Sequence, residues 1–436
     1  MKAVNLLINF IILCMFSFNL MAEDKKSADL ISMLLSRDKA KAESALGYIS
    51  VRKPLDLLPL VFSVILSNEN AEKKDIAIKA LKHYSYAQTT PYCIEILKKT
   101  NSFIVKKKVI DYLAGSHERR PVPLIINELS SPFFTVRESA ILALKKIGDD
   151  RMFPYILNMM ENPNPVFKVY ALEAIYHLYD LRFYNHLINT LKNDNKSIRY
   201  FVLKCIEVNN LRAALPSVRN AVLYDADWEV KAKAIQILEN LSDRESLYVL
   251  LHSLKDSNRE LRYFSSRALD KLRFGDSAGP VSYALFAEKD DDIKALLINT
   301  LIGINNAGGY KGLRKIILND NNYRLRVLAS YALGRIKHSW SSSILLEGKN
   351  DKSMEVRAEI GNSLGYYNER NILKELLEMI DNDKERYVRS AALFSVRKIG
   401  GKNAILPLYD RLAIESDPVM KEQMHSVLRS LIKESY

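Results

Sequence analysis

The sequence predicts an all-α fold, an α-solenoid of about 13 two-helix repeats wound into a curved rod or superhelix. A basic residue returns thirteen times at intervals of 31 to 35 residues: Lys39, Lys74, Lys106, Arg137, Lys168, Arg199, Lys231, Arg262, Lys294, Arg326, Arg357, Arg389 and Lys421. Each follows a mostly apolar residue that opens a helical pattern. The cleanest copies are Val136-Arg137 with Ala140, Ala143, Leu144 and Ile147, and Leu325-Arg326 with Ala329, Ala332, Leu333 and Ile336. No stretch sustains period-two alternation, so strands are not expected. A fixed period of this size marks a stack whose units cover their apolar faces only against one another.

Taken in chain order, residues 1–22 come first and differ in kind. Met1-Lys2 is followed by a mostly apolar run from Val4 to Leu20, then Met21-Ala22 and the charged Glu23-Asp24-Lys25-Lys26. This reads as a secretory signal peptide cleaved after Ala22, or else as an uncleaved N-terminal anchor. Cys14 lies inside the run, but Leu13 before it is too large for a lipidation signal. Residues 23–51 form a capping repeat, with Asp38 where other units have an apolar opener. Residues 52–419 carry the repeat array, and the polar segment 420–436 reads as a C-terminal capping helix. Stacking at about 10 Å per pair predicts a rod on the order of 120 Å long.

One unit shows the plan. In Asp180 to Asn209, Leu187, Ile188 and Leu191 form the stripe of a first helix, and Asn193-Asp194-Asn195 forms the turn. Ile198, Val202, Cys205 and Ile206 form the stripe of the second. Gly148-Asp149, Asn209-Asn210 and Gly275-Asp276 are expected to close units. Gly275 to Pro280, Gly308-Gly309 and Ser339 to Ser343 are candidate bends because helix propensity is poor there.

Five residues before each opener from the second unit on stands a polar residue. In the first half these are neutral, as in Asn68, Thr100, Ser131, Asn162 and Asn193. Further on they are acidic: Asp225, Asp256, Glu288, Asp320, Asp351, Asp383 and Glu415. These turns are expected to meet the repeat cations of adjacent units in a ladder of exposed hydrogen bonds and ion pairs that sets register, each pair contributing about 0 to 1 kcal/mol. The ladder accounts for much of a formal net charge of +13.

On these residues the chain resembles the HEAT-repeat family, above all the short repeats of about 31 residues in phycobilisome-lyase-like proteins. Val136-Arg137-x-x-Ala140-x-x-Ala143-Leu144-x-x-Ile147-Gly148-Asp149 matches that pattern almost throughout. Val356-Arg357 and Val388-Arg389 open partial copies. The resemblance implies a helical solenoid, while the family's functions range over scaffolds, adaptors and a few enzymes.

The chemistry expected of the enzymes is not legible. The family's di-iron hydroxylases use several His-Glu dyads, and here only His117-Glu118 occurs, on a loop before Pro121. His83 and His177 share one repeat position three units apart, too far for one metal ion. Cys93 and Cys205 read as buried core thiols. No catalytic residue, cofactor or metal is predicted.

The second-helix positions opposite the core are +2, +6 and +9 from the opener. They hold eight basic residues (Lys79, Lys82, Lys107, Lys145, Lys204, Arg267, Arg397, Arg429) and eight acidic ones (Asp75, Asp111, Glu138, Glu173, Glu207, Glu239, Asp270, Glu422). That balance argues against a phosphate-binding groove and hence against nucleic acid. The same face carries Tyr176, Tyr200, Tyr263, Tyr331 and Phe394, with Lys204, Arg267 and Arg397 beside them, a pattern suited to protein binding. The expectation is therefore a monomeric, non-enzymatic scaffold, exported to the periplasm or cell envelope, that binds an unknown protein along its concave second-helix surface. The alternative is a binder of anionic envelope polymer or lipid headgroups, and a lyase or hydroxylase comes last.

Overall fold

A computed structural model describes residues 26–67, 69–399 and 401–434, and every regular element among them is a helix. The chain divides into two compact units at Asn209 and Asn210. Residues 1–22 and Cys14 lie outside the described residues, so the signal-peptide and anchor expectations are not addressed by the fold.

The first unit pairs residues 26–34 with Lys39–Arg52, Leu57–Leu66 with Ala71–Leu81, and Tyr86–Lys99 with Phe103–Leu113. It continues with Val122–Asn127 and Phe134–Ile147, Met152–Glu161 and Pro165–Leu178, and Tyr184–Thr190 and Lys196–Val208. The second unit pairs Leu215–Tyr224 with Trp228–Asn240, Leu247–Ser253 with Arg259–Leu272, and Ala278–Ala287 with Asp291–Ile304. Then come Tyr310–Asn319 and Tyr323–Ile336, Ser339–Glu347 and Met354–Leu364, Arg370–Asn382 and Arg386–Ile399, and Gly401–Ile414 and Pro418–Glu434. Within each unit, second helices stack on second helices, and the expected solenoid of paired helices is what the chain forms.

The apolar stripes bury as the period requires. Val136, Ala140, Ala143 and Leu144 are fully inaccessible, and Leu325, Ala329, Ala332 and Leu333 nearly so. The small residues at the middle of each stripe let successive second helices approach; Cys205 takes one of these places, its Sγ 3.4 Å from the Leu172 carbonyl. Burial pushes the Cys93 thiol up to about 12 and raises that of Cys205 as well, so both remain unreactive core groups.

Turn chemistry starts several of the second helices. The side chains of Asn195, Asn258 and Asn322 accept the backbone N–H two residues on, at 2.8, 2.8 and 3.0 Å. That accounts for the second helix of the Asp180 to Asn209 repeat beginning at Lys196, two residues before its first buried apolar residue. Gly148 closes its helix in the left-handed region as expected, at φ 69°. Gly275 does not: Arg273 takes that role at φ 49°, its N–H bonded to the Leu269 carbonyl, and Gly275 opens a short 3-10 turn into the next first helix. The helix before it ends when its apolar stripe ends at Leu272, three residues ahead of the glycine. The other candidate bends, Gly308-Gly309 and Ser339 to Ser343, are likewise the beginnings of first helices.

The ladder is present, and it is more buried than the sequence suggests. Arg326 donates from Nη1 to the Asp320 and Asn321 carbonyls of its own turn, at 2.8 and 3.2 Å, and from Nε and Nη2 to Asp351 of the next turn, at 2.7 and 2.8 Å. Arg357 grips Asp383 at 2.6 and 3.0 Å in the same way, and Arg262 grips Glu288 at 2.9 and 3.3 Å. Lys294 reaches Asp320 at 2.7 Å. Arg326 is only 3 % exposed and Arg357 9 %, so these are interior pairs rather than solvated ones. Each guanidinium lies between two turns packed one repeat apart, which covers most of its surface.

Removing one member of such a pair leaves a buried charge without a partner. Arg326→Ala should therefore lower unfolding stability by about 3–5 kcal/mol, whereas Arg326→Met combined with Asp351→Asn should cost much less. Urea unfolding followed by circular dichroism compares the two. Acid offers a second check. Burial raises the carboxyls of Asp351, Asp383 and Glu288, but their arginine and backbone N–H partners outweigh it and hold all three below the ordinary carboxylate range. A carboxyl depressed in the folded state stabilises above its unfolded value, and that contribution disappears as pH falls through the folded value. Stability should fall from about pH 5 downward, and the Met/Asn variant should show a shallower decline over the same range.

Candidate functional site on the second-helix surface

The residues singled out on the second helices do not form one uniform strip. In the first unit, Tyr176 on Pro165–Leu178 is half-buried. Its ring centre is 6.3 Å from that of Phe201, and the Lys204 ammonium lies 5.8 Å from one ring and 5.6 Å from the other. Tyr200, one residue before Phe201, turns outward and is 39 % exposed. The pair shows how adjacent residues of one helix divide the work: Phe201 packs toward the neighbouring repeat and Tyr200 faces solvent.

In the second unit, Tyr263 is also half-buried, 5.8 Å from Phe264 and under the Arg259 guanidinium at 5.8 Å. Arg259 is itself held by Asp290 and Asp292. Arg267 is not a free cation. Its Nε and Nη2 donate to one oxygen of Glu239 at 3.0 and 2.8 Å, and Lys271 approaches the other at 3.5 Å. Tyr331 and Phe394 are 42 % and 51 % exposed, and Arg397 is exposed on the same helix as Phe394.

A cluster at the ends of the second helices escaped the spacing count. The Lys398 ammonium lies 4.8 Å from the Phe394 ring and 4.3 Å from that of Tyr366, and Lys337 approaches Tyr366 at 5.0 Å. Tyr366, Lys398 and Lys337 sit beyond position +9, so carrying the count one further turn would have reached them. Nearby on Met354–Leu364, burial raises the Glu359 carboxyl despite a 3.1 Å hydrogen bond from Ser363.

Several of the balanced charges neutralise one another directly. Lys107 and Asp111 are 2.7 Å apart, Lys79 and Asp75 3.1 Å, and Arg137 donates bidentately to Glu173 at 2.6 and 3.0 Å while stacking on Tyr170 at 3.8 Å. His117 lies in a loop at φ 53°, and Glu118 beside it pairs with Arg120 at 3.1 Å. Among the described residues, no group of three or more His, Cys, Asp or Glu is placed to hold a metal ion.

Repeated helix pairs, a cation-to-turn ladder and small residues between second helices define a helical-repeat solenoid. The family model for HEAT repeats matches residues 215–283 and 342–429. Those segments are HEAT repeats, and the fold of the chain is that of the HEAT-repeat family. A search of curated proteins matched none. Among solved structures, the karyopherin Kap121p bound to the SUMO protease Ulp1p is similar, with a TM-score of 0.51 and 13% identity over 94% of this chain and 54% of that one. Kap121p bound to RanGTP gives a TM-score of 0.51 and 12% identity over 94% and 52%. The present chain thus spans about half the length of those karyopherins, and at such identity the likeness concerns the fold alone.

Proposed function

We propose that this chain is a non-enzymatic scaffold that binds a protein partner through its second-helix surface and acts outside the cytoplasm, in the cell envelope. The observation that carries the binding role is the outward placement of Tyr200 in the first unit and of Tyr331 and Phe394 in the second. Large rings exposed on the outward positions of the second helices supply apolar area at little cost in side-chain order, which suits a protein contact. The Kap121p structures hold protein partners on a fold of this kind, which is compatible with the reading without identifying a partner. Localisation rests on the basic, apolar and small-residue sequence of residues 1–22.

The alternative of an anionic polymer draws less support, because much of the positive charge is already spent. Arg137, Arg262, Lys294, Arg326 and Arg357 are engaged with carboxylates of neighbouring repeats. The two readings separate by salt, since exposed charge attraction is screened and apolar contact is not.

Crosslinking and affinity capture from the envelope fraction supply the partner. Tyr200→Ala, and separately Tyr331→Ala with Phe394→Ala, should each weaken its binding about tenfold or more without altering helical content, with little change between 50 and 500 mM salt. Unchanged affinity in both variants would reject the ring surface, and a steep loss with salt would favour the polymer reading. Export has its own measurement: intact mass and N-terminal sequencing of the native protein should place the mature start at Glu23. A cytosolic protein retaining residues 1–22 would overturn it.

A further inference from the structure

A sizeable opening in the second unit lies on the other set of helices. A cleft of about 980 Å³ separates the first helices Leu247–Ser253 and Ala278–Ala287 of successive repeats, walled by Tyr248, Leu251, Pro280, Tyr283 and Ala284. Tyr248 and Tyr283 are 69 % and 67 % exposed, well above any ring of the second-helix set. This volume falls within the range of clefts that bind ligands, about 300–1,000 Å³.

Its cause is local. Leu247–Ser253 is only 7 residues long, and Ala278–Ala287 is drawn away from it onto the following first helix. There the Gly312 N–H donates to Ser282 Oγ at 2.8 Å, and that hydroxyl donates to the Gly309 carbonyl at 3.0 Å. A Cβ at Gly312 would stand 2.5 Å from the Ser282 carbonyl oxygen, and one at Gly308 2.7 Å from the Gly279 nitrogen, so only glycine permits this approach. Tight packing on one side of Ala278–Ala287 leaves the gap on the other, and the cleft is built into the fold.

The charges around it are unequal in availability. Glu288 is gripped by Arg262 and also accepts the Lys289 and Asp290 N–H groups at 2.8 and 2.9 Å. Asp256 accepts the Asn258 N–H at 2.8 Å and faces Lys231 at 3.9 Å. Both carboxylates therefore serve the ladder. Lys255 and Lys289, exposed at the rim, have no carboxylate partner among the described residues. The interior is apolar and the uncommitted charge is positive.

We propose that this cleft docks a short, extended acidic peptide segment of a partner protein. An apolar or aromatic side chain of the segment lies between Tyr248 and Tyr283, and flanking Asp or Glu carboxylates meet Lys255 and Lys289. The site is distinct from the second-helix rings and stands or falls independently of them.

A random 12-residue peptide library displayed on phage, selected on the full chain, tests it. Gly279→Leu supplies the control, because Gly279 lines the cleft and a Cβ there meets nothing within 4 Å, so the side chain occupies the opening without disturbing the helix. Circular dichroism and thermal melting confirm that the variant is folded. Selected peptides should be enriched in Asp and Glu around an apolar residue. In fluorescence anisotropy their affinity should fall at least tenfold with Gly279→Leu, with Tyr248→Ala/Tyr283→Ala and with Lys255→Glu/Lys289→Glu. Recovery of no peptide, of peptides without acidic enrichment, or of peptides that bind folded Gly279→Leu as tightly as the parent overturns the proposal. Peptides lost on Tyr200→Ala but not on Gly279→Leu would belong to the second-helix surface and would also overturn it. Vesicles of anionic phospholipid run in parallel; their binding, sensitive to Gly279→Leu while no peptide is recovered, would assign the cleft to lipid instead.

Discussion

The contact on which the second unit depends is the two-sided grip of a repeat arginine. One nitrogen of Arg326 closes its own turn by binding the Asp320 and Asn321 carbonyls, while the other two clamp Asp351 of the following turn. Asp351 in turn accepts the Ser353 N–H at 2.8 Å and so begins the next second helix. A single planar fork therefore fixes the end of one connection, the start of another and the distance between them. That distance can be kept only if each repeat has nearly the same length, so the strict period is a geometric requirement of the grip.

The lysines show why the fork matters. Lys168 satisfies its own turn, donating to the Met160 and Asn162 carbonyls at 2.8 and 2.7 Å, whereas Lys294 takes the forward carboxylate. A point-like ammonium does one or the other where the guanidinium does both. The choice of acceptor also follows the turn. With neutral Asn162 in the following turn, Arg137 bonds Glu173 on the next second helix, and its plane stacks on Tyr170. The first unit thus reaches the same spacing by a less regular set of contacts. The family model for HEAT repeats matches only the second unit, the one whose turns carry carboxylates.

The helix pairs and their stripes were legible because period and apolar spacing are properties of a repeat, and each copy corroborates the others. Val136 and Leu325 sit at equivalent depth for the same reason that their sequences align. The burial of the ladder was not legible, since an arginine beside an aspartate reads the same whether water reaches it or not. The individual rings were harder still. Tyr200 and Phe201 are neighbours with opposite fates, decided by which of them meets the adjacent helix. Tyr176 and Tyr263 stand at the outward +9 and +2 positions yet are covered by Phe201 with Lys204 and by Arg259. The cleft between first helices depends on the close approach at Gly308 and Gly312, where the meaning of a glycine lies in the helix opposite it.

Charge and surface then separate into two economies. The strongly positive balance of the sequence suggests a phosphate-binding protein, but Arg262, Lys294, Arg326 and Arg357 face inward to turns and carboxylates. Some of the exposed cations stand beside rings: Lys398 against Tyr366 and Phe394, and Lys255 and Lys289 at a rim formed by Tyr248 and Tyr283. A row of cations alone favours a polyanion of any shape. A cation next to an exposed ring favours a ligand that presents a carboxylate and an apolar side chain at a fixed separation, which is what a peptide backbone provides. In the second unit the ladder thus engages part of the positive charge within the fold, and the rings beside some of the other cations suit protein segments.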